Sequence, residues 1–350
     1  MDENLVSKKK ATYPINDELK DYLVHYERYL KLPMTYESLL RSNGSFPLLD
    51  KFGRDTLWET QIYAQNEYDE LNEGLTKVYS MLKTEGNTKV LEHLYVDRID
   101  YCTFGNSHPF RVRIINKFND NYDYFYIKKA DASRVYGLEL EHILSPNVIH
   151  FFTDGETLVE EHIVGIPGDQ FLDGHFKGGT INKVRIAKEF VKFNERCFAR
   201  LLGDMRSYNY VLDITPDFDD EQYRIRAIDF DQQSYEGKKT IYLPQFFKEN
   251  NEMVKLTIDL LSPETIQQYQ YEERALILRR VKAERYRLKE IIDVMRNDTI
   301  TPHEKFEQLR KELYEHHKEE EFLNCECMGD LIRINLKVLL TQPNPENIDF

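Results

Sequence analysis

Apolar and aromatic residues recur at helical spacing twice early in the chain. They are Leu19, Tyr22, Leu23, Tyr26 and Leu30, then Tyr68, Leu71, Leu75, Val78 and Leu82, and they predict mainly helix over 16–85. A Ser-Asn-Gly-Ser turn at 42–45 parts the two runs. From about 92 the texture changes. Segments 93–101, 110–118 and 122–128 are rich in β-branched and aromatic residues and read as strands, separated by turns at 104–109 and 119–121.

A short helix follows over 132–144, then strands at 148–153 and 157–163 joined by Asp154-Gly155. Ile186, Phe190, Phe193 and Phe198 lie on or near one face of a helix predicted over 182–201. Strands at 210–214 and 222–230 form a hairpin over an acidic turn at 217–221. After about 250 the pattern is helical almost to the end, with a long charged stretch over 272–296. No internal repeat or low-complexity tract interrupts it. Strands grouped first and helices last mark an α+β fold and disfavour alternating βαβ units.

Composition narrows the function classes. The net charge of −14 argues against non-specific nucleic-acid binding, which needs clustered Lys and Arg to release counterions. Hydrophobic residues at 41% and charged residues at 31% are ordinary for a globular protein. Four cysteines give no disulfide framework, and Cys325-Glu326-Cys327 is too closely spaced for a common structural zinc site. There is no apolar leader and no apolar run of membrane-spanning length, so a cytoplasmic protein without a membrane partner is expected. A hydrolase triad finds no G-x-S-x-G elbow, and His316-His317, adjacent on a helix, cannot share a ligand face.

The most informative segment is Leu202-Gly203-Asp204-Met205-Arg206-Ser207-Tyr208-Asn209, which is followed by an apolar strand. The next strand ends in Ile228-Asp229-Phe230-Asp231. Phosphoryl transfer needs a carboxylate near the attacking hydroxyl, oxygen ligands for Mg²⁺, and positive charge on the phosphates. Magnesium takes only one or two carboxylates and completes its shell with water and phosphate oxygens.

These segments resemble the catalytic loop and metal-binding motif of the protein-kinase-like superfamily, closest in texture to its aminoglycoside- and choline-phosphotransferase branch. The resemblance covers about residues 92–235. It implies Asp204 as catalytic base and Arg206 as a cation at the γ-phosphate. Asn209 and Asp229 become magnesium ligands, with Asp231 a candidate for a second ion. Upstream, Tyr126-Ile127-Lys128-Lys129 is similar to the strand bearing the phosphate-gripping lysine. Lys128 is favoured over Lys129. Glu139 is favoured over Glu141 to orient it, since residues two apart on a helix point about 200° apart. Glu161, His162 and Ile163 resemble the hinge that meets the adenine edge, and Gly105 lies in the phosphate-covering loop.

The implied fold is bilobal: a helical extension over 1–91, an N-lobe over 92–163, and a mostly helical C-lobe over 164–350. The implied cofactors are ATP and Mg²⁺, and the implied partners are a nucleotide and a small-molecule or protein acceptor. The sequence departs from the family pattern in four places. Leu202 replaces the usual His, Tyr126 a small residue, and Asp231 the Gly of Asp-Phe-Gly; the covering loop offers only Gly105. A nucleotide-binding pseudokinase, an AMP transferase on the same fold and a helical interaction protein are the alternatives left open.

Overall fold

A computed structural model describes residues 10–84, 93–103, 107–176, 181–218 and 221–341. The chain divides into two units. A sheet unit comprises Pro14–Ala132 and Ile149–His162, and a helical unit comprises Met1–Tyr13, Ser133–Val148 and Ile163–Phe350. The class is the expected α+β.

The sheet unit is built on seven antiparallel strands in the order β1-β2-β3-β4-β5-β7-β6. These are β1 (Gly44–Leu49), β2 (Asp55–Ile62), β3 (Leu94–Cys102), β4 (Phe110–Asn116), β5 (Tyr122–Lys129), β6 (Phe151–Asp154) and β7 (Thr157–Glu161). One face is covered by helices α2 (Tyr36–Leu39) and α3 (Gln65–Thr84). Leu71, Leu75, Val78 and Leu82 of α3 share a core with Val96, Ile99, Val112, Ile114, Phe125 and Ile127. Each such side chain removed from water contributes about 1.5–3 kcal/mol. Strand alternation sends the intervening Arg111, Tyr126 and Lys128 to the opposite face.

Residues 16–85, where the periodicity predicts mainly helix, also hold two strands. Helix α1 (Asp17–His25) starts where the Asn16 side chain accepts the Leu19 N–H at 2.7 Å. The expected turn at 42–45 is instead the start of β1, and β1 and β2 form a hairpin. Its corner is made by Asp50, whose carboxylate accepts the N–H groups of Phe52 and Arg54, and by Gly53 at φ +76°. The segment is therefore no separate extension. Leu32 N–H donates to Asp154 and Tyr36 N–H to Thr157, both at 2.9 Å, which ties it into the same unit as β6 and β7.

Helix α4 (Ala132–Leu144) lies in the helical unit from Ser133 onward. That unit also contains a small antiparallel sheet of β8 (Ile166–Pro167), β9 (Tyr210–Pro216) and β10 (Glu221–Ala227). Helix α5 (Lys183–Arg200) is capped by Asn182 and packs its aromatic face inward. Five helices follow: α6 (Asn251–Leu260), α7 (Pro263–Ala283), α8 (Arg285–Arg296), α9 (His303–His317) and α10 (Met328–Thr341). No described helix is long and apolar enough to cross a membrane.

Candidate active site

The loop after α5 is made by backbone geometry that few side chains adopt. Leu201 ends the helix at φ +55° and Asp204 sits at φ +58°. For a non-glycine residue this left-handed conformation costs about 1–2 kcal/mol, least for Asp and Asn. It is held by neighbouring strands of chain. Gly203 N–H donates to Gln232 O at 3.2 Å and Asp204 N–H to Ile241 O at 3.1 Å. A Cβ on Gly203 would stand 3.0 Å from Gln232 O, so the tight approach requires glycine here.

The His absent at Leu202 is replaced by a brace that sequence reasoning missed. Leu202 bridges Gln233 through the backbone, and the buried Gln233 amide donates to Arg200 O and Leu201 O.

Within this loop the expected residues converge. The Asn209 amide donates to Asp204 O at 2.8 Å and lies 3.5 Å from its carboxylate. Arg206 Nε donates to Asp204 Oδ1 at 2.8 Å, and its Nη1 donates to Glu249 at the same distance. Burial raises the Asp204 carboxyl to about 6, against the bond and charge of Arg206, and the nearby charges of Asp229 and Glu249 add to the rise. Asp204 is therefore an ionised base at neutral pH with a proton affinity well above that of a solvated carboxylate. Arg206 does not present its guanidinium outward, as expected for a γ-phosphate contact; two carboxylates hold it.

Asp229 and Asp231 follow the end of β10, and a residue the sequence reading passed over joins them. Arg134, on α4, donates from Nη1 to Asp229 Oδ1 and to Asp231 Oδ1, each at 2.7 Å. Its side chain is only 2% exposed. Gly137, three residues along the same helix face, lets α4 approach, since a Cβ there would meet Phe230 Cβ at 3.0 Å. The available signal was an arginine among Ala132, Val135, Tyr136 and Leu138 in the apolar first turns of a helix. Such a charge has to find carboxylates.

Magnesium, were it bound here, would draw on oxygen donors of the kind these side chains carry. Among the described residues no group of three or more acidic, His or Cys side chains could hold a metal. Asp229, at 34% exposure, and Asn209 supply suitable oxygens. Asp231, at 13%, shares Arg134 Nη1 with Asp229 at the same distance of 2.7 Å.

In the sheet unit, Lys128 is buried on the face of β5 opposite the core, whereas Lys129 is exposed. Lys128 Nζ donates to Glu160 Oε2 at 2.7 Å and lies 5.3 Å from the Tyr126 ring centre. Within the sheet unit, Glu160, from the neighbouring strand, stands at this lysine. Within the helical unit, the two helix acids have arginine partners. The buried Glu139 accepts from Arg287 Nε and Nη2 at 2.8–3.0 Å, and Glu141 is paired with the buried Arg200. Both arginines lie in the helical part of the sequence, where no motif announced them.

The hinge expectation is corrected at one amide, because Glu161 N–H already donates to His150 O at 3.0 Å. The His162 ring lies 3.2 Å from the Tyr126 hydroxyl. Burial lowers the imidazole's proton affinity and pushes the phenol up to about 12. Ile163 opens the last segment of the helical unit. Gly105 lies outside the described residues.

No family model matches the chain, and no curated protein matches it. Among solved structures, titin kinase with its flanking domains is similar over 71% of this chain and 55% of that one, with TM-score 0.30 and 14% identity. The autoinhibited serine kinase domain of the giant muscle protein titin is similar over 70% of this chain and 92% of that one, with TM-score 0.28 and 13% identity. The functional reading of this chain rests on its own site geometry.

Proposed function

We propose that the chain is a kinase-like phosphotransferase that moves the γ-phosphoryl group of ATP to a hydroxyl on a small molecule or protein. The observation that carries this reading is the Asp204 loop. A carboxylate of raised proton affinity stands in a strained backbone position, oriented by Arg206 and tied to Asn209, with Asp229 beside it. Strained non-glycine residues at such a place accompany function more often than stability.

In the proposed reaction Asp204 accepts the proton of the attacking hydroxyl. Arg206 acts on Asp204, fixing the carboxylate's direction. Asn209 and Asp229 are the proposed holders of magnesium, which when bound offsets the charge of the phosphates. Lys128 is proposed to pair with a nucleotide phosphate, exchanging Glu160 for it.

An ATP-consumption assay joined to a binding measurement tests the assignment. Asp204→Asn should keep nucleotide binding and lose turnover by at least about a hundredfold, in line with general-base removal. Normal turnover in that variant would refute the role of Asp204. Asp229→Ala should lose the magnesium-dependent part of nucleotide binding. A second reading, nucleotide binding without chemistry, is favoured by the Arg134 bridge across Asp229 and Asp231. It predicts a thermal shift with ATP and no ATP consumption by the wild-type chain.

A further inference from the structure

The adjacent pair His316-His317 ends α9 and takes no part in the proposed reaction. Neighbours on a helix point about 100° apart, so the two imidazoles serve different partners. The His317 ring is stacked between Phe198 and Phe322, with ring centres 5.8 and 5.3 Å away and interplanar angles of 20° and 12°. Its Nε2 lies 3.0 Å from Oδ1 of Asn335 on α10. Asn335 is fully buried, and a buried amide has to find partners. Its Nδ2 donates to Phe198 O at 2.8 Å and to Ala199 O at 3.2 Å, which turns Oδ1 toward His317. An amide oxygen only accepts, so His317 carries its proton on Nε2. Burial, with the charge of His316 beside it, lowers the His317 imidazole to about 4, so the ring is neutral at neutral pH.

With Gln233, which donates to Arg200 O and Leu201 O, these bonds give side-chain donors to four consecutive carbonyls at the end of α5. A helix end leaves its last carbonyls without helical partners, and whatever holds them fixes where the following chain sets out. Here the following chain is the Asp204 loop. A second arm runs through Lys239. Glu312 and His316 lie one turn apart on α9 and meet that one residue. Lys239 N–H donates to Glu312 Oε2 at 2.7 Å, and its Nζ donates to His316 Nδ1 at 3.0 Å. Lys239 opens a single 3₁₀ turn, Lys239–Tyr242, and Ile241 O of that turn accepts the Asp204 N–H. One arm holds the chain as it enters the loop, and the other holds Asp204 itself. Both lie within the helical unit.

We propose that the last turns of α9 position the Asp204 loop, with His317, Asn335 and Glu312 as positioning residues. None of the three acts on substrate; each acts through backbone groups that fix the direction of the Asp204 carboxylate. A misplacement of about 1 Å at a reacting group costs on the order of a hundredfold in rate, so loosening either arm reaches the chemistry. The catalytic consequence rests on the phosphotransferase reading, whereas the bracing does not. A cap that served stability alone would lower Tm and leave kcat unchanged at temperatures where the chain stays folded.

Hydrogen-exchange mass spectrometry on the full chain, joined to ATP-consumption kinetics well below Tm, tests this. Asn335→Leu keeps the volume and removes both donors, and His317→Phe keeps the stack and removes the N–H. In each, peptides over 201–209 should exchange roughly tenfold faster or more, while peptides over β3, β4 and β5 exchange as in the wild type. In each, kcat should fall by about tenfold or more, with KM for ATP within about twofold. His317→Gln, whose Nε2 also donates, should recover most of both losses. Glu312→Ala should speed exchange over the same peptides severalfold from the other arm. Circular dichroism reports folding; if Asn335→Leu does not fold, His317→Phe and Glu312→Ala, at positions that reach solvent, decide the question. Wild-type exchange over 201–209 in the folded variants, or faster exchange with kcat unchanged, would overturn the positioning role. A wild-type chain that consumes no ATP would refute the phosphotransferase reading alone, and the exchange rates would still decide the bracing.

Discussion

Arg134→Gln should destabilise the chain and, at the same time, create a divalent-cation site. Arg134 is 2% exposed and its Nη1 stands 2.7 Å from a carboxylate oxygen of both Asp229 and Asp231. Removing one partner of a buried ion pair costs about 3–5 kcal/mol, because the remaining charge is left uncompensated. Asp229 is 34% exposed, so water screens part of that penalty, and about 2–4 kcal/mol is the expected loss. For a chain of 350 residues, at about 2 cal/mol/K of unfolding entropy per residue, that is a fall in Tm of roughly 3–6 °C.

The two carboxylates would then lose the guanidinium that bridges them. Millimolar Mg²⁺ should raise the variant's Tm by a few degrees through binding to the folded state, and should do less to the wild type. Differential scanning fluorimetry with and without Mg²⁺ reads both effects. A Tm within about 1 °C of wild type, with no response to magnesium, would show that Arg134 does not bridge these acids as described.

The raised proton affinity of Asp204 predicts a pH dependence in both activity and stability. kcat/KM should rise as pH increases through about 6, and Asp204→Asn should abolish that limb. The folded-state value lies above the unfolded one, so protonated Asp204 favours folding; its contribution is full below about pH 4 and lost as pH rises through about 6. Glu139→Gln should cost about 3–5 kcal/mol, seen as a shifted denaturation midpoint, because it strands the charge of Arg287. It should leave nucleotide affinity within twofold of wild type, whereas a glutamate that orients Lys128 would lower it. Gln233→Leu should cost about 1–3 kcal/mol by leaving loop carbonyls unsatisfied, measured by denaturant unfolding. The same variant should lower kcat more than it changes KM, because Asp204 loses its brace.

Elements whose own side chains report their surroundings are legible in the amino-acid order alone. Strands β3, β4 and β5 alternate core and solvent positions, and α5 presents one apolar face, so local periodicity locates them within a few residues. The hairpin β1–β2 does not announce itself, because most of β1 is exposed and shows no alternation between core and water. It is a strand because the edge of β3 offers the hairpin hydrogen bonds, which no pattern within 44–62 records.

The same division runs through the site. Asp204, Arg206 and Asn209 lie five residues apart at most, so their order could be read as one loop, and Asp229 follows the next hairpin strand. Their partners could not be read in this way. Glu160 reaches Lys128 from 32 residues away, Glu139 meets Arg287 at a separation of 148, and Arg134 joins Asp229 and Asp231 across 95 and 97. The amino-acid order determined which carboxylates and cations this protein carries and which share a loop or a helix face. Only tertiary folding decided which charge stands against which, because Coulomb and hydrogen-bond energies depend on distance in space and ignore distance along the chain.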